Sequence, residues 1–230
     1  MKYMGSKNRI AKYILPIMLT ERNESQTWVE PFVGGANLID KVGDKRIGAD
    51  VNPYLIEALI TIRDHAFDLP RNNTEFTEKD YTDLRKNDDY RYKGFAGFAY
   101  SYSGKWMGGW CRGSHRDYVS EAYRNAIEQS PLLRGVDFIC SSYSDLNIPD
   151  NSFIYCDPPY EGTTKYRDDF NHALFWSWCR NMVHKGHTLF VSEYNAPPDF
   201  ECVWQMEIVS SLTKDTGSKT GTEKLFTYRG

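Results

Sequence analysis

The chain has 230 residues, a net charge of −3, and 40% apolar and 26% charged residues. That composition fits a folded globular protein with one sizeable core and room for a small inserted lobe, and it excludes disordered and collagen-like chains. No apolar run approaches the roughly 20 residues needed to cross a bilayer, and Met1–Lys7 lacks the apolar core of a secretory signal behind it; a cytoplasmic chain without membrane contact is expected.

Short β-rich runs alternate with helical patterns along the chain, which predicts an α/β fold with a mostly parallel sheet. Thr27–Glu30 reads as a first strand, and it runs into the turn Pro31-Phe32-Val33-Gly34-Gly35-Ala36-Asn37. Arg46–Asp50 reads as a second strand. Asn52-Pro53 then predicts a helix start, an N-cap followed by proline in the first turn. Leu55, Ile56, Leu59, Ile60 and Ile62 follow at helical spacing. From about residue 71 to residue 135 the pattern changes: a polar stretch, a Gly- and aromatic-rich stretch, then a helix over Ser120–Gln129. Strand signals resume at Asp137–Cys140 and Ser152–Cys156. A helix is expected over His172–His184, ending near Gly186, and a strand over His187–Ser192. Val203–Val209 and Lys224–Tyr228 predict an antiparallel C-terminal hairpin.

The five cysteines, Cys111, Cys140, Cys156, Cys179 and Cys202, are odd in number and show no C-x-x-C spacing. They point to reduced thiols rather than zinc ligands or disulfides. The net charge argues against a uniformly basic nucleic-acid binder, yet Arg91–Arg116 contains Arg91, Lys93, Lys105, Arg112 and Arg116 and no acid. Aromatic residues interleave with these cations, a pattern suited to phosphates and exposed bases. Tyr100, Tyr102, Trp106 and Trp110 serve equally well as a small core.

Three segments carry chemistry. A tight glycine turn after a first strand lets backbone approach a ligand at the carboxyl ends of the strands. Gly34-Gly35 is not the dinucleotide G-x-G-x-x-G, so a nicotinamide cofactor is disfavoured. Asp50, sixteen residues after Gly34, stands where an acid accepts hydrogen bonds from a ribose, or else caps the helix behind it. The most specific segment is Asp157-Pro158-Pro159-Tyr160 at the end of a strand. A carboxylate beside a proline carbonyl makes a pair of acceptors without donors. That pair matches an amine bearing two hydrogens, and the tyrosine that follows can lie against a planar ring.

Asp157-Pro158-Pro159-Tyr160 is similar to the signature of amino-group methyltransferases. Tyr3-Met4-Gly5-Ser6-Lys7, Glu30-Pro31-Phe32-Val33-Gly34-Gly35 and Gly48-Ala49-Asp50-Val51-Asn52 precede it in an order that resembles the Dam-type (alpha-class) adenine-N6 DNA methyltransferases. The likeness runs from Tyr3 to Glu223-Lys224-Leu225-Phe226. It implies a Rossmann-like S-adenosylmethionine-dependent methyltransferase fold. Residues 1–70 and 136–230 would form the catalytic domain, and 71–135 a target-recognition insert. It also implies S-adenosyl-L-methionine as cofactor, S-adenosyl-L-homocysteine as product, and no metal. The cofactor would be held by Tyr3, Lys7, Glu30, Pro31, Phe32, Gly34, Gly35, Asp50 and Asp157. Asp157, Pro158, Pro159 and Tyr160 would form the catalytic notch for a flipped adenine.

Double-stranded DNA would be the partner, contacted through Arg91, Lys93, Lys105, Arg112, Arg116 and Arg124 by a monomer or weak dimer. The setting would be the nucleoid of a bacterial or phage-infected cell. Tyr3 stands where relatives often have tryptophan. Gly104–Trp110 stands in place of the recognition-hairpin pattern of the GATC-specific members. Gly162–Arg167 is expected to form a mobile loop over the flipped base. An RNA adenine or a protein amide as substrate, and a non-catalytic DNA-binding module, are the competing readings.

Overall fold

The computed structural model describes residues 1–87, 90–113, 115–161, 170–210 and 219–230. The expected loop Gly162–Arg167 lies outside them. Among the described residues seven strands form one sheet: β1 (Trp28–Glu30), β2 (Arg46–Asp50), β3 (Val136–Cys140), β4 (Phe153–Cys156), β5 (Thr188–Glu193), β6 (Glu201–Ser210) and β7 (Lys219–Thr227). Their order is β3-β2-β1-β4-β5-β7-β6. The first five are parallel, while β7 runs antiparallel to both β5 and β6. This is the expected Rossmann-like sheet with its antiparallel C-terminal hairpin. The helices are α1 (Ala11–Glu21), α2 (Pro53–His65), α3 (Glu78–Leu84), α4 (Lys93–Ala99), α5 (Tyr118–Gln129) and α6 (His172–His184). No helix among the described residues is long and apolar enough to cross a membrane.

The side-chain alternation of the strands divides the core in two. Trp28, Phe153, Tyr155 and Phe190 face one side, with α1, α2 and the segment that follows. Val29, Ile154, Cys156, Leu189 and Val191 face the other, beneath α6. On the first side Trp28 stacks on Phe153 at 4.8 Å, and Phe153 stacks on Phe190 at 5.4 Å. This aromatic ladder crosses three adjacent strands. Each such ring contributes roughly 1.5–3 kcal/mol by burial and fixes the central strands whose tips carry the site.

Local signals explain the elements that were expected. The Asn52 side chain accepts from the Tyr54 and Leu55 amides, and Pro53 occupies the first helical turn of α2. Asn171 caps α6 through the Leu174 amide, and the chain leaves that helix at Gly186 with φ +90°. Three helices were not foreseen. Proline at 16 reads as a breaker, yet α1 continues through it. Helix α3 is only seven residues long and is held by a Thr77–Asp80 capping box. Helix α4, also seven residues, contains glycines at 94 and 97, which disfavour helix. Packing reverses that preference: a Cβ on Gly94 would lie 2.2 Å from the Tyr54 carbonyl oxygen, so glycine is what lets α4 meet α2.

The segment 71–135 feeds its apolar residues into the main core. Phe76, Tyr81, Phe95, Tyr100 and Val119 join Leu55, Leu59 and Ile62 in one cluster. Its far end is fastened by Arg46 on β2. That buried guanidinium donates to the carbonyls of Ile39 (3.1 Å), Leu132 (2.8 Å) and Arg134 (2.6 Å). Arg46→Met should leave three carbonyls poorly satisfied and destabilise the chain by on the order of 3 kcal/mol. Denaturant unfolding measures the loss; a midpoint equal to the parent's would remove this clasp from the fold.

Candidate functional site

In an open parallel sheet, the crevice for a ligand opens at the carboxyl ends of the strands where the strand order reverses. Here that point lies between β1 and β4, which are neighbours in the sheet. Glu30 ends β1 and opens the glycine turn, and Asp157-Pro158-Pro159-Tyr160 follows β4. Asp50 ends β2, Glu193 ends β5, and Glu223 lies on β7, one residue from the Lys224 that pairs with Glu193. The sheet thus gathers acids from five strands along one edge.

Lys7, from the N-terminal segment, reaches this edge. Its Nζ lies 3.2 Å from Asp157 Oδ1 and 3.3 Å from Glu223 Oε2. It also donates to the Tyr160 hydroxyl at 2.5 Å and sits 4.3 Å from the centre of that ring. The Tyr160 hydroxyl donates to Glu223 Oε2 at 2.7 Å, and the Tyr194 ring stands nearly perpendicular to that of Tyr160, with 4.6 Å between ring centres. Both Glu193 oxygens accept backbone amides, from Tyr194 (2.7 Å) and from Glu161 (3.2 Å), tying the residue after the tetrapeptide to β5.

The electrostatics follow from burial and crowding. Burial pushes Asp157 up to about 6; the Lys7 ammonium opposes this and Glu223 adds to it. Burial works to lower Lys7, but Asp157 and Glu223 outweigh it and raise Lys7 above its usual value. Burial lifts Glu193 to about 7 against the pull of its two amide donors. Glu30 is held at about 8 by burial, partly offset by the hydrogen bond from Trp28 Nε1 at 2.9 Å. Asp50 accepts the amides of Asn52 (3.0 Å), Gly34 and Val51, and burial raises it despite them.

The other expected positions are arranged as follows. Pro31 and Pro158 are buried, and Pro159 is half-buried. Phe32 packs into an aromatic group with Tyr143, Phe170 and Phe175. Tyr3 leans on the glycine turn. Gly34 takes φ +50°, a Cβ there would meet the Tyr3 ring at 3.1 Å, and one on Gly35 would come within 2.9 Å of the Met1 carbonyl oxygen. The glycines therefore admit the N-terminal segment itself. Helix capping at α2 belongs to Asn52, with Asp50 supporting the Asn52 amide.

Of the cationic set, Arg91, Lys105, Arg112, Arg116 and Arg124 are exposed. Lys93 is buried and donates to the Asn87 carbonyl at 3.0 Å, so it turns inward rather than toward a phosphate. Among the aromatics, Tyr100 is fully buried and Trp106 stacks on Tyr54 at 4.3 Å, whereas Tyr102 is 65% exposed. Among the described residues no group of three His, Cys, Asp or Glu could hold a metal ion.

Glu223 was the main omission. Its signal lay in the strand alternation: Glu223 shares a face with Leu225, which is fully buried. A carboxylate on the buried face of a strand requires a partner.

A Rossmann-like α/β chain is thus defined, with its acids and one short aromatic motif gathered at the reversal point of the sheet. Over residues 3–103 the chain matches the family model of the D12 class N6 adenine-specific DNA methyltransferase, the resemblance drawn from its motifs. It is 25% identical to the type II methyltransferase M.FokI of Planomicrobium okeanokoites, over 78% of this chain and 31% of that one. It therefore spans about a third of that relative's length. Solved structures align over nearly the whole chain with low similarity. The tRNA (m1A58) methyltransferase TrmI from Aquifex aeolicus gives a TM-score of 0.41 at 9% identity, covering 98% of this chain and 70% of that one. SMU.472, complexed with SAH, gives 0.38 at 12%, covering 97% and 52%.

Between the ordinary carboxyl value near 4.3 and about 8, the folded chain keeps a Glu30 proton that the unfolded chain has lost. Stability therefore falls as pH rises through that window. Glu30→Gln should flatten the slope by up to about 1.4 kcal/mol per pH unit. Unfolding measured at several pH values between about 5 and 8 reads this, and a slope equal to the parent's would mean that Glu30 is ionised in the fold.

Proposed function

We propose that this chain is a site-specific DNA methyltransferase that modifies the exocyclic N6 amine of adenine in duplex DNA with S-adenosyl-L-methionine. The observation that carries this reading is the placement of Asp157, at the reversal point of the sheet, beside the ring of Tyr160. The match of residues 3–103 to the D12 class supports adenine and DNA over the RNA and protein alternatives.

The residues fit the cofactor. A sulfonium is cationic, and the carboxylates of Asp157 and Glu223 lie together at this edge. Asp50, partly exposed at the tip of β2, is placed for a ribose, and the turn Glu30–Gly35 with Tyr3 and Lys7 would enclose the methionine part. When bound, the cofactor supplies an electrophilic methyl group.

The remaining work falls to side chains of this protein. An adenine N6 lone pair is delocalised into the ring and is a weak nucleophile. The Asp157 carboxylate and the Pro158 carbonyl accept its two hydrogens, favour a pyramidal nitrogen and stabilise the charge that develops on it. Asp157, held at about 6, is suited to take the proton that the nitrogen then sheds. Tyr160 offers a face to the extruded base, and such stacking is worth roughly 1–3 kcal/mol against the few kcal/mol that flipping requires. Glu223 fixes the Tyr160 hydroxyl and Lys7 fixes Asp157, so the notch is set before the base arrives. Residues 71–135 would read the target, with 1–70 and 136–230 as the catalytic part.

Asp157→Ala should reduce transfer of a labelled methyl group to duplex DNA by at least about 100-fold, while DNA affinity in a gel-shift assay stays near that of the parent. Turnover close to the parent's would exclude Asp157 from the chemistry. Parent turnover on RNA or protein in place of duplex DNA would overturn the substrate assignment. Glu223→Gln replaces the charged acceptor of the Tyr160 hydroxyl by a weaker neutral one, while Lys7 still donates to that hydroxyl, and should lower kcat about tenfold with little change in cofactor Kd. A change confined to cofactor binding would move Glu223 out of the base-holding role.

A further inference from the structure

Between α3 and the loop 102–110 lies a cleft of about 400 Å³ that the catalytic notch does not use. Its floor is fixed. The Tyr81 hydroxyl and the buried Ser101 hydroxyl are hydrogen-bonded at 2.5 Å, and Tyr81 also accepts the Gly109 amide at 3.3 Å. Ser101 and Trp110 form an antiparallel bridge, and the Tyr102 amide donates to the Gly109 carbonyl at 2.8 Å. The walls are thus a short hairpin-like loop on one side and a helix on the other.

Arg112 stands at the rim. Its Nε donates to Glu78 Oε2 at 3.3 Å, and its Nη2 bonds Glu78 Oε1. Both side chains are largely exposed, 76% and 45%, so the pair is worth little to stability. Its effect is geometric. Glu78 holds the guanidinium by its Nε–Nη2 side and leaves the Nη1–Nη2 fork unengaged by that carboxylate. A phosphate is a poor match for this fork, because a carboxylate at the shoulder of the arginine repels it. A neutral base edge carries no such penalty. Of the four bases, guanine alone presents two adjacent acceptors, O6 and N7, in the major groove. Adenine sets a donor beside its acceptor, and thymine a methyl group.

We infer that Arg112, braced by Glu78, reads a guanine of the DNA target at this cleft, with Tyr102 and Trp110 walling the base edge. This rests on the proposed methyl transfer to DNA and names one of the groups that select its site. Arg85, also on the cleft lining, supplies positive charge that draws the DNA strand toward it.

The test begins with long-read sequencing of DNA from cells expressing the full chain, which defines the methylated motif. Duplexes carrying that motif are then made with 7-deazaguanine, which lacks the N7 acceptor, at one guanine at a time. The parent should lose roughly 5- to 150-fold in kcat/KM at one position. Arg112→Ala should be slower on the natural duplex but show no further loss at that position, within about twofold. Arg112→Lys keeps the charge without the fork and should behave like the alanine variant in this ratio. A motif without guanine, or a 7-deazaguanine penalty that stays the same in both variants, overturns the inference alone. Absence of any DNA methylation by the parent overturns the proposed function and this inference together.

Discussion

The contact between the Lys7 ammonium and the Asp157 carboxylate governs the arrangement of the sheet edge. Asp157 lies within the fields of Glu223, Glu193 and Glu30 at a largely buried place. Like charges so crowded cannot all ionise unless a cation is shared among them. Lys7 is shared by two of the four, while burial, more than the neighbouring Asp157, raises Glu30 and Glu193. Lys7 and Asp157 are both partly buried, so removing either leaves its partner without that counter-charge at the site. The N-terminal segment is therefore part of the site and holds the tetrapeptide, although it stands 150 residues away from Asp157 in sequence.

This geometry gives the tetrapeptide its meaning. Asp-Pro-Pro-Tyr after any strand would place an acid near a ring. After β4, next to the strand that ends at Glu30, it sets a carboxylate paired with Lys7 beside an aromatic ring whose hydroxyl is anchored by Glu223. Tyr160 is held by Glu223 at its hydroxyl and packs against the nearly perpendicular ring of Tyr194. A ring held at two points keeps its orientation when a planar ligand approaches, which is the requirement that stacking places on a platform.

Much of this was legible in the chain because the strands β1, β4 and β5 are short, largely apolar runs, β2 ends at Asp50 just before the Asn52-Pro53 helix start, and α2 and α6 carry clear caps. The residues at the tips of those strands could be named in advance for the same reason. Helices α1, α3 and α4 were hidden, since each contains a proline, is very short or holds glycines, and each is stabilised by tertiary contacts that no local window records. Lys93 illustrates the same limit: composition grouped it with exposed cations, but its neighbour Gly94 draws the backbone against α2 and turns the amine inward. Glu223 was overlooked because its partners, Lys7 and Tyr160, come from distant parts of the sequence. The basic and aromatic stretch had two readings, and packing divided it, with Tyr100 in the core, Trp106 packed against it and Tyr102 outside.

The close meeting of α4 with α2 bears on how such a chain can change its target during evolution. Because residues 76–122 help build the core that also supports β1 and β4, the segment cannot be exchanged as a cassette without opening a void beneath those strands. On the proposed reading of the target by Arg112, a change of sequence preference is open to point substitution at exposed rim positions such as Glu78, Tyr102 and Arg112, which leave the buried aromatic residues beneath untouched. Chimeras that respect this boundary, altering only the outward positions, are the ones that the architecture permits.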